Sequence, residues 1–296
     1  MIKNLYKRFY QKNWNIENFF SMIVNAEFFQ LEFMITKNTT IKPVEIRYRL
    51  INYICDFIYE RMNLVPNIPP HYGLFLEHCL KQDNMLGFIS FNYDWIVDRL
   101  LFNKEKKLNY CLKRDDNIIS HKGIESIYKG VKILKLHGSL NWMLCEKCNR
   151  MEIYNEFEGF RKKGFCTNSG CNGRLVPFIV PPVWNKNVYL DRLQVLWKEA
   201  IILLEKAEKI IIIGYSFPPL DLYSIDLIRL AIELNLSVEI TVVNGKSFDY
   251  EQLQRRIKHK ISATSLYFHE YLEKEGILKS ESTRTREDIC ANDMGG

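Results

Sequence analysis

The sequence predicts an α/β chain: a mostly parallel sheet with helices on both faces, an inserted metal-binding ribbon and a helical N-terminal region. Three observations predict it. Short apolar, β-leaning runs recur at 86–91, 131–136, 209–214 and 238–243. Amphipathic stretches at about 188–207 and 220–234 alternate with the later runs, and strands alternating with helices imply parallel βαβ units. Four cysteines cluster between Cys145 and Cys171, between the second and third runs.

Residues 1–84 read as helical. Ile16, Phe19, Phe20, Ile23, Val24 and Phe28 recur at three- and four-residue spacing. Pro43 sits at a first helical position, and Ile46, Leu50, Ile54, Phe57, Ile58 and Met62 continue the period. Pro66, Pro69 and Pro70 close that helix, and a shorter one is expected over 72–81. The α/β core is expected over 85–272, with the ribbon inserted at 142–180. In it, the four consecutive isoleucines Ile210–Ile213 suggest a strand buried on both faces. Residues 273–296 are polar with little periodicity and are expected to form a tail.

Each predicted strand ends in small or polar residues: Asn92 and Asp94, His137 and Gly138, Gly214 and Ser216, and Asn244. In parallel sheets ligands bind at the carboxyl ends of the strands, so the four endings together predict a polar cleft. The plainer alternative is four ordinary βα turns. Asp94 then caps the helix that follows it, and His137 only satisfies backbone.

Composition narrows the function classes. Apolar residues make up 47% and charged residues 26% of the 296, ordinary globular usage that excludes wholesale disorder. The formal charge of +6 is too dilute for a dedicated nucleic-acid binder. Lys147, Arg150, Arg161, Lys162 and Lys163 edge the ribbon without an aromatic stripe, so nucleic acid is not expected as a partner. No apolar stretch reaches the ~18–20 residues of a membrane span, and the first fifteen residues lack a signal peptide's apolar segment. A soluble, cytoplasmic protein is expected.

Cys145-x2-Cys148 is followed, after seventeen residues, by Cys166-x4-Cys171. Two close pairs separated by such a loop supply four thiolates to one tetrahedral Zn²⁺. A site closed by four sulfurs keeps no position for water and is structural. Two disulfides or free thiols are the alternative.

These residues, in this order, resemble the sirtuin superfamily of NAD-dependent enzymes. Phe91-Asn92-Tyr93-Asp94 looks like its strand-end Asn-x-Asp, Lys135-Leu136-His137-Gly138-Ser139 like its His-Gly, and the four cysteines like its zinc ribbon. Gly214-Tyr215-Ser216 looks like its Gly-x-Ser loop, and Val243-Asn244 like its later dinucleotide-binding asparagine. The wording FNYD, KLHGSLNW and GYSFPPLD is closest to the bacterial sirtuin-like branch often found in defence proteins. The resemblance implies a Rossmann-like core over about 85–270, NAD as co-substrate and structural Zn²⁺. Catalytic roles fall to His137 and Asn92, and cofactor contacts to Asn92, Asp94, Gly214, Ser216 and Asn244. Other defence-system subunits or self-association are the implied partners besides NAD.

Two departures qualify the implication. The family's Gly-rich phosphate loop is not found ahead of Asn92, where Gly73 is the only glycine before Met85. The chain is therefore expected to be a truncated form, with weak NAD binding and little turnover alone. After the ribbon, Val180-Pro181-Pro182-Val183-Trp184 stands where deacylases pair with an acyl-lysine peptide, and proline cannot donate to a peptide ladder. The expected activity is thus hydrolysis of the nicotinamide glycosidic bond of NAD. The alternatives are NAD-dependent lysine deacylation and a non-catalytic NAD- or ADP-ribose-binding scaffold.

Overall fold

In the computed structural model, residues 16–36, 38–64, 68–104, 106–112, 118–120, 130–154, 164–181, 192–218, 221–245, 248–257, 259 and 261–278 are described. The N-terminal periodicity folds as α1 (Ile16–Phe28) and α2 (Pro43–Leu64), with a hairpin between them, β1 (Phe33–Thr36) and β2 (Thr39–Ile41). The hairpin corrects the expectation that 1–84 is helical; its strands are too short to leave a period-2 signature. α3 (Pro70–Leu80) follows, with proline at its first position, where a missing N–H costs nothing.

β3 (Phe88–Ser90) leads through a short turn to α4 (Ile96–Asn103), and β4 (Leu108–Asn109) and β5 (Ile118–Ser120) come next. β6 (Val131–Lys135) turns at Leu136 and His137 into β7 (Gly138–Cys145). β8 (Met151–Ile153) and β9 (Leu175–Ile179) complete the ribbon region. Then come α5 (Gln194–Glu205), β10 (Lys209–Ile213), α6 (Leu222–Leu234), β11 (Glu239–Val243), α7 (Tyr250–Ile257), β12 (Ile261–Thr264) and α8 (Phe268–Lys274). α5 begins later than the expected 188, and 182–191 lie outside the described residues. α8 extends past 272, while 279–296 also lie outside them.

The chain divides into two compact units made of discontinuous segments. The first comprises 1–66, 87–203 and 218–227; the second comprises 67–86, 204–217 and 228–296. In the first, β3, β6 and β4 form a parallel sheet in the order β3-β6-β4. Beside it in sequence stands a four-stranded sheet, β5-β8-β7-β9, in which β7 runs antiparallel to both neighbours. That sheet was not anticipated: β7 is buried along nearly its whole length, so its sequence shows no alternation to read. Phe19, Phe20, Ile23, Ile46 and Leu50 pack with Leu140 of β7 and Ile179 of β9 in one core cluster. In the second unit, β10, β11 and β12 pair in parallel in that order, over a core holding Val243, Tyr271 and Leu272. The four expected strands therefore exist and pair in parallel, two in each unit.

Candidate functional site

In the first unit, parallel pairing of β3 and β6 brings their carboxyl ends to one edge. The loops that leave them are stitched together. The Leu136 amide donates to the Ser90 carbonyl at 3.0 Å, and the Leu140 amide to the Tyr93 carbonyl at 2.9 Å. Between these two bonds His137 Nδ1 lies 3.1 Å from the Phe91 carbonyl oxygen. A carbonyl only accepts, so Nδ1 carries the proton and Nε2 is the unprotonated nitrogen of the neutral ring. His137 is buried, and its backbone carbonyl accepts the Val180 amide at 2.8 Å.

The glycine after His137 has its own physical cause. Gly138 has φ +78°, and a Cβ there would stand 2.2 Å from the Phe178 carbonyl oxygen. Only glycine permits both the left-handed turn and the approach of β7 to β9. His-Gly is thus a unit in which the glycine sets where the imidazole sits.

Phe91 and Trp197 flank that imidazole, with ring centroids 5.4 and 6.2 Å from its own. Trp197 is in turn 6.1 Å from Tyr223. The Trp197 indole nitrogen and the Ser224 hydroxyl are buried without a hydrogen-bond partner among the described residues. Asp221, just ahead of α6, places Oδ2 3.7 Å from His137 Nε2, and both side chains are under a tenth exposed.

Asn92 and Asp94 lie on the same edge but are used differently. Asn92 is exposed, and its backbone amide donates to the Ser90 hydroxyl at 3.2 Å. Asp94 Oδ1 accepts the Ile96 amide at 3.0 Å, so one of its oxygens serves the start of α4. Tyr93 reaches the other way, its hydroxyl donating to the Val180 carbonyl at 2.5 Å. Burial pushes the Tyr93 hydroxyl far above the ordinary tyrosine range, and the charge of Asp221 adds to this. Beneath the loop, the Lys135 ammonium donates to the Asp94 carbonyl.

The other three candidates belong to the second unit. Gly214 follows β10 with φ +65° and open space where a Cβ would be, and Ser216 is exposed. Asn244 follows β11, and its side-chain amide donates to the Tyr215 carbonyl at 2.9 Å. It therefore clips together the loops after β10 and β11. The Tyr250 hydroxyl supports the same turn, 3.1 Å from the Asn244 amide.

The four cysteines converge. Their sulfurs all lie within 4.8 Å of one another, with Cys145 to Cys171 and Cys148 to Cys166 both at 3.6 Å. A tetrahedral Zn²⁺ with ~2.3 Å bonds needs sulfurs about 3.8 Å apart, so the cradle fits the metal. Cys145 closes β7, and the Cys148 and Asn168 amides point at the Cys145 and Cys166 sulfurs at 3.4 Å. The Arg150 amide holds the Cys148 thiol down to about 6, while burial pushes the Cys166 and Cys171 thiols up, so it is a bound cation that would make all four thiolates. A Cβ on Gly173 would stand 2.5 Å from the Cys145 sulfur, so the second knuckle also needs its glycine.

Sequence reasoning missed Asp221 and Trp197. Asp221 ends the GYSFPPLD stretch, and an aspartate just before a helix reads as a cap; nothing local ties it to a histidine eighty-four positions earlier. Trp197 sits in an amphipathic helix, where an aromatic reads as core. Of the Val180–Trp184 segment, Val180 and Pro181 are buried, and 182–184 lie outside the described residues.

No family model matches the sequence, and no curated protein matches it. Solved structures do. A Sir2 in complex with the inhibitor EX-527, 2'-O-acetyl-ADP-ribose and deacetylated p53 peptide is 15% identical over 76% of this chain and 83% of its own, with a TM-score of 0.40. A Sir2 homologue–NAD complex is 18% identical over 70% of this chain and 63% of its own, also at 0.40. A third, from work on the mechanism and regulation of Sir2 enzymes, is 17% identical over 54% and 61%, at 0.33.

Proposed function

We propose that the chain is an NAD-binding protein of sirtuin-like kind that cleaves the bond between nicotinamide and ribose by hydrolysis. The observation that carries this reading is the His137 imidazole at the carboxyl edge of β6. Its Nδ1 is tied to the Phe91 carbonyl at 3.1 Å, leaving Nε2 as base. In the reaction, the oxygen of water attacks C1' of the nicotinamide ribose. The C–N bond breaks with its electron pair going to the pyridinium nitrogen, which leaves as neutral nicotinamide. His137 Nε2 takes the proton from the attacking water, a positioned general-base role. The exposed Asn92 amide, two residues beyond β3, orients the nicotinamide end, and the free oxygen of Asp94 assists. Gly214, Ser216 and Asn244, at the strand ends of the second unit, are the other residues proposed to contact the cofactor. The cysteine cradle holds a structural Zn²⁺, which supplies folding energy and takes no part in the bond cleavage.

The test is nicotinamide release from NAD, followed chromatographically with and without an acetyl-lysine peptide. Any release should not depend on the peptide, and His137→Gln should lower it by roughly 10²–10⁴-fold. Release only with peptide would establish the deacylase instead. Binding of NAD or ADP-ribose without release would leave the non-catalytic module.

A further inference from the structure

We propose that Asp221 is the positioning residue of His137: it fixes the Nε2 side of the imidazole, whose Nδ1 is set by the Phe91 carbonyl, and serves as counter-charge when Nε2 takes up a proton. The proposal rests on the hydrolytic reading for its catalytic meaning, but not for its geometry. Nδ1 is assigned as the donor by the carbonyl it faces, 3.1 Å away. Nε2 then lies unprotonated 3.7 Å from Asp221 Oδ2, both groups being buried. Two electron-rich atoms held close in a dry setting repel, and adding one proton to Nε2 turns the repulsion into an ion pair. The site is therefore built to stabilise the imidazolium that a general base becomes. Aromatic walls from Phe91 and Trp197 exclude water and so strengthen the pairing.

Among the described residues, the other titratable groups on the neighbouring elements do not take this role. On the loop after β3, Tyr93 is held neutral by burial, and Asp94 caps α4. On its own strand, the Lys135 ammonium is committed to the Asp94 carbonyl and lies 3.7 Å from Asp98. On α5, which presents Trp197, Lys198 is exposed, and Glu199 is bonded to Lys132 at 2.6 Å. On α6, Tyr223 lies against Trp197, and Asp226 is exposed.

The sign follows. A carboxylate beside Nε2 raises the pH at which His137 loses its proton, so removing the charge must lower it. The experiment is an NMR titration of the histidine ring resonances in the zinc-loaded full chain without NAD. The His137 signal is assigned by its loss in His137→Gln. Asp221→Asn should move its midpoint down by ~1–3 pH units, while Asp221→Glu, which keeps the charge, should hold it nearer the parent. A midpoint within a few tenths of the parent in Asp221→Asn overturns the proposal. So does a Glu variant that shifts as far as Asn. If NAD is cleaved, the acid limb of kcat/KM should move down with the midpoint, and kcat should fall through lost orientation. A shifted midpoint in a protein that releases no nicotinamide would leave the pair standing and remove only the hydrolytic reading.

Discussion

Replacing Lys135 with methionine should cost the first unit about 3–5 kcal/mol, because it strands a buried carboxylate. Lys135 and Asp98 are each about 2% exposed or less, and Nζ lies 3.7 Å from Asp98 Oδ2. At that distance the direct attraction is about 4.5 kcal/mol at an effective dielectric of ~20. Much of it offsets the desolvation of two ions. The variant loses the attraction and keeps the Asp98 penalty, and it also leaves the Asp94 carbonyl without its donor. The other Asp98 oxygen accepts from the Tyr110 hydroxyl, which cannot replace a cation. Against a typical total of ~5–15 kcal/mol, such a loss is large. The assay is equilibrium urea unfolding followed by tryptophan fluorescence, since Trp142 packs edge-on against Tyr110 with centroids 5.2 Å apart. Lys135→Met/Asp98→Asn removes both charges and keeps an acceptor for Tyr110, so it should cost less than the two single changes summed, by roughly 1–3 kcal/mol. A Lys135→Met protein within ~1 kcal/mol of the parent, or strict additivity, would refute the reasoning.

Two further outcomes are expected. Purified protein should carry about one zinc per chain by metal analysis, and Cys148→Ser should lose it and lower the melting temperature, because binding energy at such a site is folding energy. Gly138→Ala should destabilise by more than the ~1–2 kcal/mol of a left-handed L-residue, since its Cβ would meet the Phe178 carbonyl at 2.2 Å; Gly214→Ala, at similar φ in open space, should cost only that strain. Urea titration of the two variants checks the difference.

What was legible in the sequence was whatever repeats locally. The helical spacing of Phe19, Phe20 and Ile23 and the run Ile210–Ile213 each announce an element, and these appear as α1 and β10. The cysteine spacing is also local chemistry, and the four sulfurs do meet. What failed to show was pairing at long range. β7 pairs with β9 over some thirty residues, but its sequence, GSLNWMLC, mixes polar and apolar side chains that are nearly all buried. Asn141 and Ser139 could not be read as core from sequence, because what makes them tolerable is partners elsewhere: Asn141 donates to the Tyr154 carbonyl at 2.9 Å. Asp221 was invisible for the same reason. Its meaning lies in an ion-pair distance to His137, not in its neighbours along the chain.

The buried polar residues Glu152, Asn141, Asp98 and Lys135 lie on one connected path. Thr167, next to the zinc ligand Cys166, donates its amide to Glu152 Oε1 at 2.7 Å and its hydroxyl at 3.0 Å. The other Glu152 oxygen accepts the Tyr154 hydroxyl at 2.7 Å. From the Tyr154 backbone the path passes to Asn141, whose amide also donates to the Tyr110 hydroxyl at 3.3 Å. Tyr110 donates to Asp98, Asp98 faces Lys135, and Lys135 holds the Asp94 carbonyl two residues from Asn92. Each of the four is costly to bury alone and acceptable only with the next in place. An apolar core would fill the same space at lower cost, so the polar path makes sense as a means of fixing geometry. One end is the metal knuckle and the other is the loop that carries Asn92 and Asp94. The ribbon therefore need not approach a substrate to matter to the site: by anchoring Thr167 it fixes one end of the chain of bonds that holds that loop.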